Sequence, residues 1–289
     1  MTVTLADIVA LALRAASFAA VLQAAGIPLF VALSSGDLRR SLRPMNVVGA
    51  RMAFAAVLLV VAQQVVEPAR LAGSLGGVLD ASLQAMMLQS GAGAAAATRL
   101  IGLVLLLVRL RATGRVAAIL GVLGISAIVA SFALMGHTTS HEPRSALAAL
   151  LLVHIAVIAF WFGALVPLRI AVATEDPDVA ARIVTRFSHW AAWLVPAIGV
   201  AGVLLAALLL PWIRTLGTPF GLALVAKLGG FTVLLSFGAA NKWLLGPRLA
   251  TGDQAAARAL QRSLACEWVI IVVILMVTAV LTGLFAPED

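Results

Sequence analysis

Long, uninterrupted apolar runs are the feature that most limits what this chain can fold into. Runs of about 20 apolar residues recur along the 289-residue sequence, and each is long enough to cross about 30 Å of hydrocarbon at about 1.5 Å per residue. Because the runs are continuously apolar and do not alternate, they predict helices and not barrel strands. Charged residues make up only 11% of the chain, far below the share in soluble domains. The sequence therefore predicts an all-α, polytopic transmembrane helical bundle.

Eight spans are expected from these runs. They lie approximately at residues 5–33, 46–66, 95–110, 115–136, 145–170, 187–210, 219–242 and 263–285. The third is the weakest, because it is short and follows an Ala/Gly-rich stretch. No linker long enough to separate domains interrupts the series, so residues 1–289 are expected to form a single integral membrane domain.

The connections between spans differ in basic residues, and this difference predicts the orientation. Thirteen arginines and lysines lie on one side, whereas four lie on the other, namely Arg70, Arg99, Arg144 and Arg214. Loops rich in Lys and Arg stay in the cytoplasm, so both termini and the turn after span four are expected to face the periplasm of a bacterium. The net charge of +8 then reflects topology. The lipid bilayer is an expected partner and nucleic acid is not.

Possible metal ligands are concentrated at that outer turn. Three of the chain's four histidines, His137, His141 and His154, fall within eighteen residues, and Met135 lies beside the first. If the fourth span continues as a helix, His137 and His141 share one face. Imidazole nitrogen and thioether sulfur together suit copper, and methionine favours Cu(I). An interfacial polar turn would explain the same residues without a metal.

His154 lies about nine residues inside span five, roughly 13 Å along the helix from its outer end. A polar ring at that depth needs a partner inside the bundle. Met276 lies at a comparable depth in span eight, so a ladder from His141 and His137 to His154 and Met276 would give a soft cation a path inward. A helix-to-helix hydrogen bond by His154 and ordinary packing of Met276 are the structural alternatives. His189 opens span six on the other side, where an interfacial polar cap is the default.

Four charged residues within the spans also need an explanation. Arg51 and Glu267 are expected at one level, where they could pair. Arg14 and Lys227 have no carboxylate at their predicted depth, so they would either extend toward the interface or bind an anionic group.

Several residues in the second half of the chain form a recognisable order. They are Gly136 and His137; His154, Trp161, Gly163, Leu165 and Pro167; Phe187 and Ser188; Lys227; Asn241, Lys242, Leu245 and Pro247; and Arg262, Ser263 and Glu267. In these residues the chain resembles the copper resistance protein D family, the CopD or PcoD type of bacterial inner-membrane protein. The resemblance covers residues 115–285 approximately. Phe220 departs from it, since the family has a tyrosine there, and Lys242 replaces the usual arginine.

The resemblance implies movement of copper across the inner membrane, commonly with a periplasmic copper-binding partner of the CopC type. It singles out His137 and His154 as ligands over His141 and Met135. The sequence contains no Walker-type nucleotide loop and no phosphorylatable Asp motif, so we expect import from the periplasm without ATP, by a transporter that is not an enzyme.

Two other functions remain open from the sequence. In a haem-binding membrane oxidoreductase, histidines would ligate the iron axially and Arg14 and Lys227 would meet the propionates. In a copper-binding scaffold or sensor, the same ligands would hold copper without transporting it.

Overall fold

The computed structural model describes residues 4–134, 144–209 and 217–284, and every regular element in these ranges is helical. The helices are α1 (Leu5–Ser34), α2 (Leu42–Leu71), α3 (Ala81–Gln89), α4 (Gly91–Arg109), α5 (Gly114–Ser131), α6 (Arg144–Thr174), α7 (Pro177–Leu209), α8 (Pro219–Ala240), α9 (Gly246–Ala250) and α10 (Gln254–Leu284). A π-helical turn, Asn241–Leu245, joins α8 to α9. Within the described ranges, eight helical segments are long and apolar enough to cross a membrane. The predicted eight-span, all-α architecture is confirmed.

Several helices extend well beyond the apolar windows that predicted them. The last one begins at Gln254, because the Asp253 carboxylate accepts hydrogen bonds from the backbone N–H groups of Ala255 and Ala256. The Ser90 hydroxyl caps α4 in the same way. The third predicted span, which was the weakest, is therefore a regular helix of 19 residues. Hydropathy marks the part of each helix that lies in lipid, whereas capping side chains mark where the helix begins.

The first helix is the centre of the bundle and packs directly against α6. Their backbones approach so closely that a Cβ atom added to Gly26 would lie 1.8 Å from the carbonyl oxygen of Ala159. Beside this crossing, Gln23 Nε2 donates a hydrogen bond of 2.8 Å to the Phe162 carbonyl. Small residues permit such close contact between membrane helices. The crossing therefore fixes the position of α6, which carries His154.

Arg14 does have a carboxylate partner, so the expectation that it lacks one is wrong. Its Nη2 atom lies 2.7 Å from Glu67 Oε1, and both side chains are buried. Arg70 Nε binds the same oxygen at 2.9 Å. The prediction failed because it ended span two at residue 66, whereas α2 continues to Leu71 and carries Glu67 into the bundle.

The expected pair between Arg51 and Glu267 does not form. Arg51 lies on the exposed side of α2, whereas Glu267 is only 2% exposed and is hydrogen-bonded to Trp161 and Asn241. The prediction used only the depth of each residue in its span. Depth does not determine which face of the helix carries the side chain.

At the more basic end of the bundle, Glu175 ties the connection after α6 to the start of α2. Its Oε1 atom accepts hydrogen bonds from the backbone N–H groups of Arg39, Arg40 and Ser41, at 3.0, 3.0 and 2.9 Å, and from the Ser41 hydroxyl. Burial opposes ionisation of this carboxyl, but the Ser41 hydroxyl and the three N–H groups together hold its pKa below the ordinary value. The ionised form is therefore the one that joins the two connections.

This lowered pKa predicts how acid affects stability. The stabilisation by Glu175 is complete above the ordinary carboxyl pKa of 4.5 and is lost as the pH falls through the lower pKa of the folded state. Replacing Glu175 with glutamine should cost about 1–2 kcal/mol at neutral pH, because charge-assisted hydrogen bonds become neutral ones. Thermal unfolding in detergent, followed at decreasing pH, measures this cost.

The difference in Tm between the native protein and Glu175→Gln should shrink as the medium is acidified. Asp176→Asn is the matched control, because Asp176 is a neighbouring exposed carboxylate whose partner is the exposed Arg40 side chain, and such a pair should contribute little. A Glu175→Gln difference that is constant with pH would contradict the assignment.

Candidate functional site

His154 lies on the side of α6 that meets α7. A Cβ atom added to Gly202 of α7 would lie 3.6 Å from His154 Cε1, which is ordinary packing distance. The ring nitrogen Nδ1 is buried and has no hydrogen-bond partner among the residues that the structure describes. The Ile198 carbonyl is close enough to interact with the ring but does not form a hydrogen bond with Nδ1. A buried, unpaired ring nitrogen needs an explanation, and a metal ion bound to its lone pair is one.

Open space reaches this part of α6 from the side. An apolar groove of about 280 Å³ runs between α6 and α7 next to His154, and it is lined by Ala149, Leu150, Val153, Ala197, Val200 and Ala201. These side chains supply no metal ligand. Three of the six are alanines, whose small side chains leave space between the two helices beside the imidazole.

The other predicted ligands are placed differently. Met276 is 49% exposed, and nine residues of helix rotation put it on the face of α10 opposite the buried Glu267. Among the residues that the structure describes, no group of three His, Cys, Asp or Glu side chains could hold a metal. Met135, His137 and His141 fall outside the described residues, so their role as ligands stays a prediction, as does that of Met276.

Lys227 has a specific neighbour in the structure. It lies on α8, close enough for its positive charge to act on His154. None of the described carboxylates forms an ion pair with it. A cation bound at His154 would therefore sit in a field that opposes it, and further ligands would have to offset this repulsion.

A buried polar network lies further along the same face of α6. Trp161 follows His154 by seven residues, which is two helical turns or about 10 Å. Its Nε1 donates a hydrogen bond of 3.3 Å to Glu267 Oε2, and Asn241 Nδ2 donates one of 2.5 Å to Glu267 Oε1. Trp161 and Asn241 were predicted only through the family resemblance, and Glu267 also as a charged residue within span eight; the sequence did not reveal that the three meet. The only local signal was the seven-residue spacing from His154 to Trp161.

Two family models match the chain, and together they span most of it. The model described as "Copper resistance protein D-like, N-terminal domain" matches residues 5–145, and the one described as "Copper resistance protein D" matches residues 181–281. The chain belongs to the copper resistance protein D family. The resemblance noted in the sequence is confirmed. The second range includes Lys227, Asn241 and Glu267, whereas His154 and Trp161 lie between the two ranges.

A curated relative agrees with this assignment. The chain is 28% identical over 162 residues to "Copper transport protein CutJ" of Bacillus subtilis (strain 168), and the matched segment covers 54% of this chain and 29% of that protein. The chain therefore spans less than a third of the relative it matches. No solved structure matches the chain significantly.

Proposed function

We propose that this chain transports copper ions across the bacterial inner membrane, importing them from the periplasm. Membership of the copper resistance protein D family and the similarity to a copper transport protein support copper as the ion. The observation that carries the proposed site is the buried Nδ1 atom of His154, to which none of the described residues forms a hydrogen bond.

The excess of basic residues at one end of the bundle supports the direction. The connection between α1 and α2 and the one between α6 and α7 meet at that end, where Arg186 pairs with Asp37 at 2.7 Å and Arg40 pairs with Asp176. With this end in the cytoplasm, the N-terminal end of α6 faces the periplasm, and His154 lies in its outer half.

In this orientation copper arrives at the turn before α6. His137 captures the ion there, with Met135 and His141 as accessory ligands, and His154 receives it inside the bundle. Met276 is proposed as a further ligand at comparable depth. A periplasmic copper-binding protein of the CopC type is the proposed donor. Transport without ATP requires a copper gradient or exchange against another ion.

Copper accumulation in sealed proteoliposomes tests this function. The native protein should accumulate copper in the lumen, whereas a scaffold or sensor would show saturable association and no accumulation. His137→Ala should lower the initial uptake at least tenfold, because a capturing ligand is lost. His141→Ala is the matched control and should have a smaller effect. Absence of accumulation by the native protein contradicts transport; undiminished uptake by His137→Ala contradicts only the proposed capture site.

The structure weakens the case for a haem-binding oxidoreductase. That hypothesis assigned Arg14 to a haem propionate, but Arg14 is paired with Glu67. A Soret band in the absorption spectrum of protein purified after haem-replete expression would favour haem all the same.

A further inference from the structure

Glu267 is a buried carboxylate whose hydrogen bonds come only from neutral groups. It is 2% exposed, and its two oxygens accept from Trp161 Nε1 and Asn241 Nδ2. None of the described Lys, Arg or His side chains forms an ion pair with it. A negative charge in the interior of a membrane bundle is costly without a compensating cation. Among the described residues, no side chain supplies that cation.

The atoms around Glu267 indicate which cation could do so. Two further buried oxygens, Asn241 Oδ1 and Ser263 Oγ, have no hydrogen-bond partner within the described part of the chain, and Ser263 is one turn before Glu267 on the same face of α10. All of these are hard oxygen donors, whereas copper in its Cu(I) form prefers sulfur and imidazole. The 2.5 Å contact between Asn241 Nδ2 and Glu267 Oε1 leaves no room for a hydrated metal ion between these two atoms. A proton binds to oxygen and needs no additional room, so it fits this site.

The backbone is irregular where Asn241 enters the site. Asn241 is the first residue of the π-helical turn Asn241–Leu245, between α8 and α9. Single π-helical turns cost regular hydrogen bonding and occur frequently at functional sites. Here the turn coincides with the residue that binds Glu267.

The described charged groups on the elements around α10 do not pair with Glu267. The elements packed against it are α1, α6, α8, α9 and the π-helical turn. Their titratable or charged residues whose side chains the structure describes, with those of α10 other than Glu267, are Asp7, Arg14, His154, Arg169, Lys227, Lys242, Arg248, Arg258, Arg262 and Cys266. Arg14 is engaged with Glu67 and with the Thr282 carbonyl near the far end of α10. Arg258 and Arg262 are exposed. None of these residues forms an ion pair with Glu267.

We propose that Glu267 binds a proton and exchanges it against copper, so that copper import is coupled to a counterflow of protons. This inference rests on the proposed function. A copper ion that enters the same low-dielectric core repels the proton. The O–H bond of Glu267 then breaks, the proton leaves to water on the periplasmic side, and the ionised carboxylate offsets the charge of the metal. When the copper ion departs to the cytoplasm, a proton from the cytoplasmic side binds again, and no atom changes oxidation state.

Infrared difference spectroscopy of the protein in liposomes tests the proton directly. At a mildly alkaline pH, where imidazoles bind no proton, addition of copper to the native protein should remove a protonated-carboxyl C=O band. Glu267→Gln should lack this band and should still bind copper. Glu175→Gln is the matched control, since it alters another buried glutamate, and it should keep the band. A native spectrum without such a band, or with one that copper leaves unchanged, overturns the proposal.

Proton flux in the same liposomes separates this inference from the proposed function. Copper uptake by the native protein should move protons out of the lumen, and Glu267→Gln should reduce the proton movement per copper ion at least tenfold. Copper accumulation without proton counterflow in the native protein overturns the coupling and leaves transport intact. Copper-dependent loss of the carboxyl band without accumulation overturns transport and leaves the proton site intact. Glu267→Asp, which keeps a carboxyl, should restore part of the counterflow.

Discussion

Substituting alanine for Gly163 is expected to remove most of the folded protein. A Cβ atom at this position would lie 2.3 Å from Gly26 Cα and 2.5 Å from Gly26 C, distances that no real Cβ contact adopts. Both atoms belong to the backbone of α1, so no side-chain rotation can relieve the overlap. The helices would have to separate, and overpacking of this kind costs about 3 kcal/mol or more.

The cost is high because α1 cannot move away freely. It also packs against α2 and α10, and the hydrogen bond from Gln23 to the Phe162 carbonyl beside the crossing would be stretched. Any separation of α1 from α6 therefore opens other contacts of the same helix. It also displaces the part of α6 on which Trp161 meets Glu267.

The yield of monodisperse protein after detergent extraction, measured by size-exclusion chromatography, reports this effect. We expect a loss of at least tenfold for Gly163→Ala. Gly229→Ala is the matched control, because a Cβ atom there meets nothing within 4 Å, and it should leave the yield near that of the native chain. Equal yields for the two variants would mean that α1 and α6 do not cross at these glycines.

The spans were predictable from sequence because the signal is local. A run of about 20 apolar residues identifies a membrane helix wherever its neighbours lie, and even the short third span formed a helix. The ends of the helices, and the faces on which their side chains lie, were harder to predict. Glu67 lies one residue beyond the predicted end of span two, and that single residue decided whether Arg14 had a partner.

The candidate site also has a part that the sequence predicts and a part that it does not. The depth of His154 follows from its place in span five, and the structure leaves its Nδ1 atom unpaired as a ligand nitrogen would require. In the network at Glu267, the partner Asn241 is 26 positions away in the sequence and the partner Trp161 is 106 positions away. No local pattern encodes which helices become neighbours, so the sequence could list Trp161 and Asn241 only by resemblance. The packing of the bundle brings them together.

Removing the imidazole of His154 is expected to abolish most copper uptake while the protein folds normally. The ring packs against Gly202 at ordinary distance and none of the residues in the described ranges hydrogen-bonds to Nδ1, so little stability depends on it. Loss of a nitrogen ligand inside the bundle, by contrast, leaves a copper ion without the group that offsets the opposing charge of Lys227. Initial uptake into proteoliposomes should fall at least tenfold in His154→Ala.

Two further variants separate a ligand from a packing residue. His154→Phe keeps a ring against Gly202 but has no nitrogen, so it should lose copper uptake as fully as His154→Ala. His189→Ala removes an exposed histidine of α7 and should retain native uptake. If His154→Phe transports copper normally while His154→Ala does not, the ring acts by filling space and the nitrogen is not a ligand. If both variants transport normally, copper follows a path that does not include His154.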